Sequence, residues 1–358
     1  MLEARSAVRS LHAYRPPLAG RQGLRLDFNE STIGCSPRVL ARLRSLDPDT
    51  LARYPEREPI EALVASFLGL DAAQVLLTNG VDEAIHLLCS TYLEPGDEAI
   101  IVVPTFAMYA IFAQAEGARL VEVLSGENFA FPLEDLLSRI SPRTRLIAIA
   151  NPNNPTGAVA ALEVLLQVAR QAPQAAVLVD EAYFEFHGVT LLAPTDRPAN
   201  LFVARTFSKA YGLAGLRIGI LAGNEEQMAM IRRVASPYSV NAVALVALPE
   251  ALQDQGYVEN YVAEVKRGRA VLQRELGAIG LHYWPSHANF VLVRVGPTHA
   301  EFAQALRARG ILVRNRHSDP GCAGCVRLTL GSEEHTGMLI AALREVVAEL
   351  SLRPEVKA

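Results

Sequence analysis

Six short apolar runs punctuate the first two-thirds of the chain, over residues 100–103, 120–124, 146–150, 177–179, 201–204 and 218–222. They lack the polar alternation of a strand with one wet face, so each predicts a strand buried on both sides. Helical spacing fills the gaps. Val81, Ala84, Ile85, Leu88 and Tyr92 recur on one face after Asn79-Gly80, and similar patterns run over 162–172 and 225–235. Strand–helix alternation of this kind closes into an α/β fold, a mostly parallel sheet between layers of helices. The last third changes character. Long helical patterns over 258–278, 300–309 and 334–350 accompany three strand candidates at 290–295, 311–314 and 326–330, which predicts a smaller α+β domain. A chain of 358 residues exceeds one ordinary core. The expected division is an arm and start of the small domain at 1–40, a large domain at 41–237 and a small domain at 238–358, with the turn near Ser236-Pro237.

Charge narrows the partners. The 34 basic and 38 acidic side chains leave a net charge of −4 with no basic run, which argues against nucleic acid. No apolar stretch is long enough to span a bilayer, and the arginine-bearing start has no hydrophobic core for a secretory signal. Four cysteines do not make a disulfide framework in a chain of this length, so a reducing cytoplasm is the expected location. Cys322 and Cys325 have the spacing of a metal or redox pair, but no two further ligands are suitably placed and no helix opens after a strand there; incidental thiols are the better reading.

Ligands of an open parallel sheet bind beyond the carboxyl ends of its strands. Four such ends carry chemistry here: Gly80-Val81-Asp82 after the 75–78 strand, Asn154 after 146–150, Asp180 after 177–179, and Ser208-Lys209 after 201–204. A pyridine-aldehyde phosphate needs an amine, a carboxylate for its ring nitrogen, donors for its ring oxygen and a phosphate cradle. Lys209 offers the amine and Asp180 the carboxylate. Asn154 and Tyr183 offer donors, and the free N–H groups that open the helix at Val81 suit a phosphate, with Ser208 and Arg217 to assist. Phe106, after Pro104-Thr105, is placed to stack on the ring.

Each of these residues has an ordinary reading as well. Taken singly, Lys209 would be a surface lysine, Asn154-Pro155-Thr156-Gly157 a turn, Tyr183 and Phe106 core, and Arg217 an ion-pair residue. Asp180 ends a buried apolar strand and Arg327 sits inside one; a charge in either place needs a partner. Convergence of four segments favours the cofactor reading over the sum of ordinary ones.

The segments Arg53-Tyr54-Pro55, Gly80-Val81-Asp82-Glu83, Pro104-Thr105-Phe106-Ala107-Met108-Tyr109, Asn153-Asn154-Pro155-Thr156-Gly157, Asp180-Glu181-Ala182-Tyr183 and Arg205-Thr206-Phe207-Ser208-Lys209 occur in this order. With them the chain resembles the fold-type-I aminotransferases that use pyridoxal 5'-phosphate, and among these the histidinol-phosphate aminotransferase family. The resemblance runs from Leu26-Asp27-Phe28-Asn29-Glu30 to Cys325-Val326-Arg327-Leu328-Thr329. It implies that Lys209 carries the cofactor and shuttles the substrate proton, with Asp180 and Tyr183 supporting it. It implies that Gly80, Val81, Asp82, Ser208 and Arg217 hold the phosphate, and that Phe106 and Asn154 contact the ring. Tyr54 would reach the cofactor of a partner subunit in a homodimer. Arg327, Arg314, Tyr14 and Asn154 would contact the substrate, an amino donor exchanging with a 2-oxo acid. The chain reads Asn29-Glu30-Ser31-Thr32 where the family often has Asn-Glu-Asn-Pro, and Phe106 where tyrosine also occurs. These departures leave the cofactor site intact and the donor open: histidinol phosphate first, then an aromatic or other amino acid, then threonine phosphate in a decarboxylation. A cofactor-binding regulatory domain ranks last.

Overall fold

Alternating burial within single strands defines the two faces of the main sheet. In β2 (Val75–Thr78), Val75 and Leu77 join one apolar cluster and Leu76 joins another. The same alternation recurs in β3 (Glu98–Val103), β5 (Thr144–Ala150), β6 (Ala176–Asp180), β7 (Leu201–Thr206) and β8 (Gly219–Ala222). Side chains of a strand point to opposite sides in turn, so two buried faces require an apolar residue at nearly every position. This is why these runs show no polar alternation.

The structure is a computed structural model that describes residues 2–193 and 196–352. With β4 (Arg119–Leu124) at one edge, seven strands form a sheet in the order β2-β8-β7-β6-β5-β3-β4. β3 to β7 pair in parallel, whereas β8 runs antiparallel to both β7 and β2. The sequence pattern predicts β8 but not its direction, because periodicity is blind to strand polarity. Since β8 is reversed between them, β2 and β7 point the same way. The carboxyl ends of β2, β3, β5, β6 and β7 therefore share one edge.

A second sheet combines the two ends of the chain in the order β1-β11-β12-β10-β9, from β1 (Leu24–Leu26), β9 (His282–Tyr283), β10 (Phe290–Arg294), β11 (Ile311–Asn315) and β12 (Cys325–Thr329). β1 lies parallel to β11, which attaches the N-terminal arm to this sheet. One apolar cluster runs from the main sheet into the second, taking in Val179, Val203, Phe290, Val326 and Leu328. Helix Ala242–Gln253, not foreseen from the sequence, packs against helix Pro37–Arg44 and helix Glu58–Leu68. No helix among the described residues is long and apolar enough to cross a membrane.

Helix Glu58–Leu68 is tied to the main sheet by a buried carboxylate. Glu61 accepts from the Leu77 amide at 2.9 Å and lies 3.0 Å from Arg57 and 2.8 Å from Arg232. Truncating it strands a buried guanidinium and a backbone donor. Glu61→Ala is expected to cost about 3–5 kcal/mol of unfolding free energy in urea denaturation.

Candidate active site

At the shared edge the main sheet presents its chemistry to β12 and to the segment after β1. Asp180, the last residue of β6, is buried. Its Oδ2 accepts from Tyr109 Oη at 2.6 Å and its Oδ1 from the Ala182 amide at 2.9 Å. Desolvation nevertheless pushes its pKa up to about 6, against the pull of those two hydrogen bonds. Beneath it, Glu181 pairs with Arg205, whose guanidinium lies 3.5 Å from the Phe184 ring centroid.

Lys209 follows β7, and its Nζ donates to the Phe28 carbonyl at 3.0 Å. Burial holds the ammonium down at about 8, and Arg327 adds repulsion. Arg327 lies within β12 and is buried. Its Nη2 donates to the Asp27 carbonyl at 2.6 Å and its Nη1 to Asn154 Oδ1. Desolvation brings its pKa down to about 10. Arg314 stands directly opposite Arg327 in the β11–β12 register, and neither forms an ion pair among the described residues. Like charges facing across strands are unfavourable unless an anion joins them.

The hydrogen-bond chemistry orients two donors. Guanidinium has only donors, so Asn154 must turn its oxygen to Arg327 and keep its amide N–H free. Tyr183 Oη accepts from Asn29 Nδ2 at 2.9 Å, which leaves its own proton to give. The other end of the site is a cradle. Gly80 has φ +74°, and a Cβ there would meet Arg217 Nη2 at 2.6 Å. Below, a Cβ on Gly219 would meet the Gly80 carbonyl carbon at 3.1 Å, so β8 carries glycine where the helix start rests on it. Helix Gly80–Tyr92 opens with N–H groups that have no intrahelical acceptor. Arg217 Nη2 lies 2.9 Å from Asp82, and Ser208 joins this end through Thr206, which lies beside Gly219.

Thus Lys209, Asn154, Tyr183 and Arg327 are joined through shared contacts, with Asp180 at the neighbouring strand end and Gly80, Asp82 and Arg217 together at the cradle. Phe106 stands 5.8 Å from the Tyr109 ring, edge-on. Tyr54 is 80% exposed and stacks on Tyr238 at 4.4 Å, outside this constellation. Tyr14 is also exposed. Cys322 and Cys325 are buried in a small apolar cluster with Trp284, and no group of potential metal ligands occurs among the described residues. Sequence reasoning missed Tyr109, Asn29 and the Asp27 and Phe28 carbonyls. Tyr109 had a signal, an aromatic three residues after Phe106 in the same segment; backbone acceptors leave none.

An anion-binding cradle, an amine, a buried carboxylate and free hydrogen-bond donors match the needs of pyridoxal 5'-phosphate. The unneutralised burial of Asp180 is what a protonated ring nitrogen would relieve. The fold and site define a pyridoxal-phosphate enzyme of the fold-type-I transferase class. The chain belongs to the family of class I and II aminotransferases, whose model matches residues 21–343. It is 35% identical to a histidinol-phosphate aminotransferase of Geobacillus sp. (strain WCH70) over 98% of this chain and 100% of the relative. A histidinol-phosphate aminotransferase of Roseiflexus castenholzii is 36% identical over 96% of this chain and 97% of its own. The crystal structure of histidinol-phosphate aminotransferase from Sinorhizobium meliloti in complex with pyridoxal-5'-phosphate superimposes with a TM-score of 0.85 at 26% identity, covering 98% of this chain and 99% of that one.

Asp180 supplies a test that needs no turnover. Its folded pKa, about 6, lies above the ordinary 3.8, so its stabilising contribution is complete below about pH 4 and lost as pH rises through 6. In cofactor-free protein, Asp180→Asn should match the parent near pH 4 and exceed it by roughly 3 kcal/mol above pH 6. Denaturation midpoints across this range check it, and added pyridoxal phosphate should reverse the order.

Proposed function

We propose that this aminotransferase takes its amino group from histidinol phosphate and passes it to 2-oxoglutarate, as a homodimer. The observation that carries the donor assignment is the facing pair Arg314 and Arg327, two cations without a direct ion-pair partner among the described residues and suited to a phosphate dianion. Nearly full-length similarity to relatives named for that activity supports it.

Bound pyridoxal phosphate supplies an aldehyde and an electron-withdrawing ring. Each residue of the chain then has a task. Asp180, ionised, holds a proton on the ring nitrogen, and Tyr109 keeps the carboxylate aimed. Tyr183 and Asn154 donate to the ring oxygen through the protons that Asn29 and Arg327 leave free. Ser208, Arg217 and the Val81 and Asp82 amides would hold the phosphate, and Phe106 would stack on the ring. Lys209 would hold the aldehyde; its free amine, buried and brought down to about 8, suits a group that takes a proton from the substrate carbon and returns it. Arg327 and Arg314 orient the donor by its anion, with Tyr14 closing over it. Tyr54, exposed in one protomer, would meet the partner's phosphate.

Lys209→Ala is expected to remove the visible absorbance of dialysed protein and abolish turnover. In stopped-flow mixing of holoenzyme with single donors, histidinol phosphate should convert the cofactor fast and phenylalanine slowly; the reverse assigns an aromatic donor, and release of carbon dioxide from threonine phosphate assigns decarboxylation. Arg327→Lys loses the two-pronged grip and should lower kcat/KM for histidinol phosphate on the order of 100-fold, mostly through KM. Sedimentation at twice the chain mass is the result expected for a dimer.

A further inference from the structure

Three consecutive residues after β1 each hold a different group of the site. The Asp27 carbonyl accepts from Arg327 at 2.6 Å, the Phe28 carbonyl accepts from Lys209 at 3.0 Å, and Asn29 Nδ2 donates to Tyr183 Oη at 2.9 Å. The segment is pinned from the second sheet. Asn29 adopts a left-handed φ of 56°, a strained conformation outside glycine. It is held there by Thr329, which donates to its Oδ1 at 2.9 Å and accepts from its amide at 3.2 Å, and by Asn289, which donates to its carbonyl at 3.2 Å.

On the other side stands Arg21, whose side chain is 8% exposed. It grips Asp27 with two hydrogen bonds of 3.0 and 2.7 Å, reaches Glu30 at 2.5 Å, and lays its guanidinium 4.5 Å from the Phe28 ring centroid. Arg314 lies 5.2 Å from the same ring. One arginine thus touches the side chains of residues 27, 28 and 30, while the carbonyls and the amide between them face the chemistry. A planar fork that satisfies two carboxylates at once fixes direction as well as distance.

We propose that residues 27–29 are a positioning strap for the freed Lys209 amine and the Arg327 guanidinium, and that Arg21 is the positioning residue that clamps it. This rests on the roles given above to Lys209 and Arg327. The Phe28 carbonyl provides a fixed resting place for the free amine. The Asp27 carbonyl sets the orientation of the anion-binding guanidinium. A shift of about 1 Å in such groups can cost on the order of 100-fold in rate.

The test uses holoenzyme carrying Arg21→Met or Arg21→Lys, with Lys209→Ala as control. Hydrogen exchange read by mass spectrometry reports the strap; single-turnover conversion of histidinol phosphate, with and without deuterium on the reacting carbon, reports the proton transfer. In R21M the amides of 27–30 should exchange roughly tenfold faster. Conversion should slow on the order of 100-fold, with a larger isotope effect and with the visible absorbance retained. R21K, which keeps the charge without the fork, should fall between R21M and parent in both readouts, and it carries the test alone if R21M does not fold. Faster exchange with unchanged conversion and isotope effect overturns the proposal, as does unchanged exchange with slowed conversion. Full conversion by K209A would instead overturn the role of Lys209 itself, so the two failures are told apart.

Discussion

Burial of ionisable groups without full neutralisation is the constraint around which this molecule is built. Asp180, Lys209 and Arg327 are all desolvated, and each departs from its ordinary pKa toward the uncharged form. Hydrogen bonds lessen the penalty without removing it: a tyrosine and an amide for Asp180, one carbonyl for Lys209, one carbonyl and one amide oxygen for Arg327. A fold optimised for stability alone would put apolar residues there. Keeping the charges is the mark of a site that completes itself with a ligand of opposite pattern, cationic at the ring nitrogen and anionic at both ends.

Everything around these groups serves to hold them in place. Five strands that end at one edge deliver Gly80, Asn154, Asp180 and Lys209 side by side, and this depends on the single reversed strand β8, which lets β2 point with its neighbours. Glycine at 80 and 219 lets a helix start settle onto that strand with its N–H groups free. The second sheet brings Arg327 and the strap together from opposite ends of the chain, with β1 paired to β11. Each hydrogen bond also settles which proton is left over. Asn154 keeps its amide N–H and Tyr183 its hydroxyl proton free because their acceptors are already taken.

Much of this was legible in the sequence, and the reasons are physical. Strands buried on both faces leave uninterrupted apolar runs, so five of the parallel core strands and β8 stand out. Residues that close such runs and carry charge, as Asp180 does, advertise a need for a partner. Other features leave no trace. Strand direction has no periodicity, so the reversal of β8 was silent. β9, two residues long, is too short to show a pattern. The Asp27 and Phe28 carbonyls are present at every position of any chain, and nothing in the letters marks those that accept from Arg327 and Lys209.

The sequence by itself determined the inventory: an α/β chain with an amine, a carboxylate, two hydrogen-bond donors and a helix start at strand ends. It could do so because buried strands and the residues that end them obey local rules of spacing. Only the tertiary structure decided how those groups are tuned. The pairing of Tyr109 with Asp180, the opposition of Arg314 and Arg327, and the clamp of Arg21 on residues 27–30 join positions 71, 13 and 6–9 residues apart. Desolvation and the direction of a hydrogen bond are properties of an environment, and that environment exists only after the two sheets have met.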